Sequence, residues 1–334
     1  LTELLADHTT LRVGGPARRW VEADTDEALI AAVSEADAAG EPVLVLSGGS
    51  NVLVADGGFD GTVVHVATRG VTAEGSSCDL SDASCGGVMV TVAAGEPWGD
   101  FVDWTVENEL VGVEALAGIP GAVGSTPIQN VGAYGQDISQ TLWHVRTWDR
   151  RERRVRVFAN GDCGFGYRWS RFKAEPDRYL VLGVTFQFTQ GTRSAKVRYA
   201  ELARRLGVEV GVRAGLADVR DTVLDLRRGK GMVLDPADHD TWSAGSFFTN
   251  PILDAEAAAR LPEEAPRFPA GEGLVKSSAA WLIDHAGFSK GYGTPPATLS
   301  TKHVLALTNR GGASASDIVA LAREIRDGVE EAWG

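Results

Sequence analysis

Gly118-Ile119-Pro120-Gly121-Ala122-Val123-Gly124-Ser125-Thr126-Pro127-Ile128-Gln129-Asn130-Val131-Gly132-Ala133-Tyr134-Gly135 holds five glycines, two prolines, one ring side chain and no charge. It follows neither a helical nor a strand period. As a core element it would leave backbone N–H and C=O groups unpaired. Two readings stay open: a long surface loop, or backbone shaped to meet a ligand. Glycine lets backbone come within hydrogen-bonding distance of something flat or phosphorylated. The amides of Gln129 and Asn130 add uncharged donors and acceptors.

A second glycine turn lies upstream, in Val43-Leu44-Val45-Leu46-Ser47-Gly48-Gly49-Ser50-Asn51-Val52-Leu53-Val54. A β-branched apolar run enters it and another leaves, which predicts strand, tight turn, strand. Four small residues at such a turn can aim successive N–H groups at one point and so form an anion nest suited to a pyrophosphate. An ordinary hairpin is the competing reading. No G-x-G-x-x-G opens a helix and no G-x-x-x-x-G-K-[ST] occurs, so a dinucleotide needs an architecture other than the Rossmann one.

Further stretches follow in order: Gly166-Tyr167-Arg168-Trp169-Ser170-Arg171-Phe172-Lys173, Ala244-Gly245-Ser246-Phe247-Phe248-Thr249-Asn250-Pro251 and Ala280-Trp281-Leu282-Ile283-Asp284-His285-Ala286-Gly287. With the two glycine turns, this set resembles the UDP-N-acetylenolpyruvoylglucosamine reductase family, the MurB-type flavoenzymes of peptidoglycan synthesis, in the type with a Tyr199 loop. The resemblance covers nearly the whole chain. Ser47 departs mildly from it, standing where the family often has a third glycine.

The resemblance implies an α+β protein: a two-subdomain FAD-binding module of the vanillyl-alcohol-oxidase/PCMH-like type plus a C-terminal α+β substrate domain. The expected division is 1–70 and 71–232 for the two FAD-binding subdomains and 233–334 for the UDP-sugar domain, ending in a helix that leads back to the first subdomain. The implied reaction passes hydride from NADPH to FAD and then to the alkene of UDP-N-acetylglucosamine enolpyruvate. Charge developing beside that alkene needs a cation on the carboxylate and a proton donor at the carbon.

By motif position, Arg168 is the cation, since a guanidinium can grip a carboxylate with two parallel bonds. Ser246 is the proton donor, although a serine is a weak acid that needs a neighbouring charge or hydrogen bond. Read alone, Arg168 is a surface or ion-pair arginine and Ser246 a turn residue. Tyr199, Lys230, Asn250, Lys290 and His303 match the family's substrate region. His303, in a stretch to Leu307 that reads as a strand, is otherwise a structural histidine. The cofactor contacts carried over are Ser47, Gly48, Gly49, Ser50, Asn51, Gly118, Ile119, Pro120, Gly121, Val123, Gly124, Ser125, Gln129, Asn130, Gly132, Ala133 and Tyr134.

Composition agrees with this. At 334 residues and 44% hydrophobic, the chain is long and apolar enough for two or three globular domains. A net charge of −13 without a long basic block argues against nucleic acid as partner. No apolar run is long enough to span a bilayer, and no charged-then-apolar leader opens the chain. The expectation is a cytoplasmic monomer with no metal. Cys78, Cys85 and Cys163 give neither a zinc spacing nor a disulfide framework. Cys78 and Cys85 fall in a Gly/Ser/Asp-rich segment, Glu74 to Gly87, expected to be an exposed insertion with reduced thiols.

Locally, a helix is expected from Asp26 to Ala39, capped by Asp24 or Thr25, stopped by Gly40, with Leu29, Ile30 and Val33 buried. Strands are expected at Phe59–Val66, Met89–Ala93 and Tyr179–Phe188, with a hairpin over Leu142–Phe158 turning at Asp149 to Glu152. Trp98–Glu109 reads as a helix. Ser316 is the expected cap of a final helix whose Ile318, Leu321, Ala322, Ile325 and Val329 recur at helical spacing.

The chain opens on Leu1, which implies a start further upstream. It stops at Ala332-Trp333-Gly334, where the resembled family goes on to a third catalytic group, a glutamate beyond the last helix. Glu330 and Glu331 lie on the helix itself and are not matches. If that tail is absent, flavin binding would survive while turnover falls. Two other readings remain: a non-catalytic flavin- or UDP-sugar-binding protein, and an FAD oxidase of the same cofactor fold. The oxidase reading is disfavoured because no histidine or cysteine that could tether flavin stands near Ser47 to Val54.

Overall fold

A computed structural model describes residues 3–74 and 87–334, so Cys78, Cys85 and the insertion expected around them lie outside the described residues. The chain divides into two compact units. One comprises Ala17–Gly48 and Asp60–Arg227; the other comprises Leu1–Pro16, Gly49–Phe59 and Arg228–Gly334.

The first unit begins with the strand Ala17–Ala23 and the helix Asp26–Ala39. Thr25 caps that helix by accepting from the Ala28 N–H, and Gly40 ends it in the left-handed conformation. Leu29, Ala32, Val33 and Ala36 form its buried face, while Ile30 packs only partly against it. The strands Ala17–Ala23, Phe59–Val66 and Val43–Leu46 form a small sheet with Phe59–Val66 in the middle. Val43–Leu46 runs parallel to Phe59–Val66, with Leu44 opposite Val63.

That parallel pairing corrects the expected hairpin. Val52 to Val54 forms no strand, because its apolar side chains have another use. Val54 packs against Gly14, where an added Cβ would come within 2.9 Å of the Val54 Cβ. Leu53 joins the core of the second unit.

A larger antiparallel sheet runs in the order Arg154–Ala159, Leu142–Asp149, Tyr179–Gln190, Val88–Ala93, Val71–Glu74. The hairpin forms where the sequence places it. The helix Trp98–Glu107 packs on this sheet and stops two residues earlier than expected, with Asn108 as its cap and Glu109 at φ +57°. Its Phe101 ring lies 5.2 Å from Phe186, 5.7 Å from Trp98 and 6.1 Å from Phe188. All four rings are fully buried, each contributing about 1.5–3 kcal/mol through the area removed from water. The Trp98 indole N–H is satisfied by the Leu116 carbonyl at 3.0 Å.

In the second unit, the helix Ala315–Trp333 presses Ile318, Leu321 and Ile325 against Leu299, Leu307, Ile283 and Leu11. Its cap is Ser314, which forms a reciprocal capping box with Asp317; Ser316 sits two residues further on, within the first turn, and bonds Asp56. The Asn309 side chain donates to the carbonyls of Leu11 and Arg12, both at 3.1 Å, fastening the N-terminal segment. His303 lies in a turn, and the strand begins only at Leu307. A strand at His303 would break the turn bond from the Ala306 N–H to the His303 carbonyl.

Candidate functional site

In the first unit, the long glycine segment lies against the chain just before the helix Trp98–Glu107. The Trp98 N–H donates to the Gly121 carbonyl at 3.0 Å, Val123 to Glu96 at 2.9 Å and Gly124 to Ala94 at 2.8 Å. Gly124 has to be glycine, because a Cβ there would meet the Ala94 Cβ at 2.5 Å. The two glycine turns touch: a Cβ on Gly48 would stand 2.7 Å from the Gly121 Cα. Among the described residues, the N–H groups of Gly48, Gly118, Ile119 and Gly121 donate to no backbone acceptor. Unused backbone donors on three glycines and Ile119, in two turns that touch, fit a diphosphate-bearing cofactor such as FAD.

Several carried-over side chains face inward instead. Asn130, buried and at φ +46°, donates to the Gly166 carbonyl at 3.2 Å and accepts from the Ser139 N–H at 3.2 Å. Ser125 donates to the Ala122 carbonyl at 2.7 Å. These bonds hold the shape of the segment. Tyr134 and Tyr199 do meet, edge to face, with centroids 5.3 Å apart and planes at 86°.

Arg168, at φ +53°, reaches back to donate to the Gly132 carbonyl at 2.7 Å, while Lys173 Nζ donates to the Arg168 carbonyl at 3.0 Å. The structure therefore joins Arg168 to the segment ending in Tyr134. Buried Ser170 donates to the Ile128 carbonyl and accepts from the Lys173 N–H, closing the same loop.

Arg227 was not anticipated. It is 8% exposed, at the end of the buried stripe Leu216, Val219, Val223 and Leu226 on the helix Leu216–Gly229. Burial pushes its guanidinium down to about 10, against a smaller opposing effect of Tyr134. An arginine in register with an apolar stripe is the signal that could have found it.

In the second unit, Ser246 Oγ lies 3.3 Å from His303 Nε2. Gly245 precedes it at φ +71°, and the Phe247 and Phe248 rings follow, 5.5 Å apart and half-buried. Asn250 accepts from the Ala279 N–H at 3.0 Å and so ties the Phe248 loop to the helix Ala279–His285. Lys290 is exposed and Lys230 half-buried. Asp240 is 4% exposed and accepts from the Thr301 N–H at 2.8 Å and from Arg310 at 3.0 Å. Burial raises its carboxyl, but the bonds from Thr301 and Ser300 and the Arg310 charge outweigh that and leave it below its ordinary value.

The comparisons with known proteins bear on both units. The FAD binding domain family matches residues 17–157, and the UDP-N-acetylenolpyruvoylglucosamine reductase C-terminal domain matches 235–334. A UDP-N-acetylenolpyruvoylglucosamine reductase of Cutibacterium acnes is 61% identical over 333 residues, 99% of this chain and 86% of the relative. The chain belongs to this family. The reductase of Streptomyces coelicolor is 58% identical over 341 residues, again 99% of this chain and 86% of that one. Among solved structures, the UDP-N-acetylenolpyruvylglucosamine reductase of Thermus caldophilus superposes with a TM-score of 0.65 at 26% identity, over 98% of this chain and 94% of that one. The expected pairing of an FAD-binding module with a family-specific C-terminal domain is what the two family models match.

Proposed function

We propose that the chain catalyses the NADPH-dependent, FAD-mediated reduction of UDP-N-acetylglucosamine enolpyruvate to UDP-N-acetylmuramate in peptidoglycan precursor synthesis. The observation that carries this is the 61% identity to a reductase of that family across 99% of the chain. The unused backbone donors at Gly48, Gly118, Ile119 and Gly121 support it independently. Bound FAD supplies the hydride relay between NADPH and the alkene.

The chain's own residues do the rest of the work. Arg168 grips the enolpyruvyl carboxylate, whose negative charge grows as hydride arrives, and a guanidinium stays charged throughout. Ser246 delivers a proton to the carbon beside that carboxylate. Tyr199, Lys230, Asn250, Lys290 and His303 contact the UDP-sugar, with Lys290 neutralising diphosphate charge. Residues 1–70 and 71–232 serve as the FAD-binding subdomains, and 233–334 as the substrate domain. The chain acts as a cytoplasmic monomer, where NADPH is found. Among the described residues no helix is long and apolar enough to cross a membrane.

An anaerobic absorbance experiment on the FAD-loaded protein tests the reaction. Flavin bands that bleach with NADPH and recover on adding UDP-N-acetylglucosamine enolpyruvate are the expected result. Bleaching without recovery, or hydrogen peroxide release as the main outcome in air, would overturn it.

A further inference from the structure

Ser246 and His303 sit on two turns that backbone bonds fasten together. The Phe247 N–H donates to the Leu305 carbonyl at 2.8 Å, and the Gly245 N–H to Ser243 Oγ at 3.2 Å. On the facing turn, the Ser300 N–H donates to the Ala306 carbonyl at 2.8 Å and the Ala306 N–H to the His303 carbonyl at 3.1 Å. Ser300 Oγ accepts from both the Lys302 and His303 N–H groups, at 3.0 and 3.2 Å. Buried Asp240 anchors this turn from beneath through Thr301 and Arg310. The 3.3 Å contact between Ser246 Oγ and His303 Nε2 thus joins two turns whose backbones are held.

A serine hydroxyl is a very weak acid, because the alkoxide left behind is unstable unless a neighbour supplies a proton as it forms. Histidine is the side chain whose charge ordinarily changes between about pH 5 and 8. We propose that His303, as the imidazolium, is the positioning and proton-supplying partner of Ser246. This rests on the reading of Ser246 as proton donor given above.

The proton balance closes within the pair. As the alkene accepts hydride, negative charge builds on the carbon beside the carboxylate. The Ser246 Oγ–H bond breaks while a C–H bond forms there. The His303 Nε2–H bond breaks while Oγ–H re-forms. One proton has passed from imidazolium to substrate, and solvent then reprotonates the ring.

In the neutral ring protonated at Nδ1 the direction reverses. Nε2 then accepts the serine proton and holds it away from the substrate. The active form is therefore the charged one, and the proton-transfer step slows as pH rises through the His303 titration. Among the described residues, the charged and titratable groups on the elements holding this turn include Asp240 with Arg310, Lys302 paired to Asp238, Asp235 bonded to Thr241, and His239 beside Asp240. Lys290 precedes Gly291, whose N–H donates to the Ser300 carbonyl at 3.1 Å.

The test measures the two half-reactions of the FAD holoenzyme separately by rapid mixing, across about pH 5 to 8. In His303→Gln, which keeps a hydrogen-bonding side chain but cannot titrate, flavin recovery at saturating enolpyruvyl substrate slows by about 10- to 100-fold more than bleaching by NADPH does, and it loses its high-pH decline. In His303→Ala, added imidazole restores part of that rate at low pH. A His303→Gln enzyme that only needs more substrate, with limiting rate and pH profile unchanged, would overturn the proposal and leave the histidine as an anion contact. A readout independent of turnover is the NMR titration of the His303 ring: its midpoint moves in Ser246→Ala if the pair is coupled, and an unmoved midpoint refutes coupling. Wild-type enzyme that bleaches but never recovers overturns the reaction itself, and this step with it.

Discussion

Gly48 and Gly121 approach so closely that a Cβ on Gly48 would lie 2.7 Å from the Gly121 Cα, a distance no packed pair of carbons tolerates. Both neighbours are backbone, so the clash cannot be relieved by rotating a side chain. The contact joins the two glycine turns within one unit, beside the amides proposed to meet the cofactor. Gly48→Ala should cost about 1–3 kcal/mol, the usual range for overpacking, and lower the melting temperature of the FAD-free protein by several degrees. FAD affinity should fall as well, because the turns would be pushed apart. Fluorescence titration with FAD, read beside a thermal melt, checks both. An alanine variant with unchanged affinity would show that the close approach serves packing alone.

Arg168 is held by its own bond to the Gly132 carbonyl at 2.7 Å, with the backbone at φ +53°. A lysine could keep the charge but not the planar fork that matches a carboxylate. Arg168→Lys should leave flavin bleaching by NADPH intact and slow recovery with the enolpyruvyl substrate by about 10²-fold, the size of one lost transition-state contact. Rapid-mixing rates for the two half-reactions decide it. Equal slowing of both would place the effect on the cofactor instead of the substrate.

Arg227 carries a positive charge in an apolar setting, where burial already pushes its guanidinium down to about 10. At neutral pH the group is still charged, so the fold bears the burial cost of a cation. A fixed charge near Tyr134 and the glycine segment is useful if an anionic cofactor lies beyond it. Arg227→Met should weaken FAD binding by about tenfold, or about 1.4 kcal/mol, with Arg227→Lys falling between. Equilibrium titration with FAD is the measurement. A methionine variant that binds FAD as wild type does would assign Arg227 a purely structural role.

How much of this was legible in the sequence depended on how local the cause was. The helix Asp26–Ala39 was readable because its cap, its buried stripe and its stop all lie within the helix or beside it. The cap of the last helix was misplaced by two residues: Ser314 and Ser316 both suit the position, and only Asp317 three residues after Ser314 tells them apart. Val52 to Val54 looked like a strand because its apolar residues serve partners near Leu11 and Gly14, which a local pattern does not show. The pairing of Ser246 with His303 spans 57 residues and needs both turns to be folded. Motif position found each residue but not the contact between them.

Asp149 sets an acid limit on stability. Its carboxylate is fully buried at the end of the strand Leu142–Asp149 and accepts from Arg178 Nη2 at 2.9 Å, Arg156 at 3.3 Å and the Glu152 N–H at 3.1 Å. Burial pushes this carboxyl up, but the bonds from Arg178, Glu152 and Arg156, with the Arg178 charge, together outweigh it and hold it at about 2. An unfolded aspartate titrates near about 3.9. The folded value is the lower one, so the unfolded chain binds the extra proton in between. Stability from Asp149 is therefore complete above about pH 4 and drains away as pH falls through the folded value. Asp149→Asn should lower stability by about 1–3 kcal/mol at neutral pH, since it removes the buried charge that both arginines bond, while Glu152 and Glu175 keep those arginines paired. It should also remove this aspartate's share of the acid-side slope. Urea unfolding of the FAD-free protein, repeated from neutral pH down toward about pH 3, measures both. A variant whose stability falls with acid as steeply as the wild type's would assign the slope to other carboxylates.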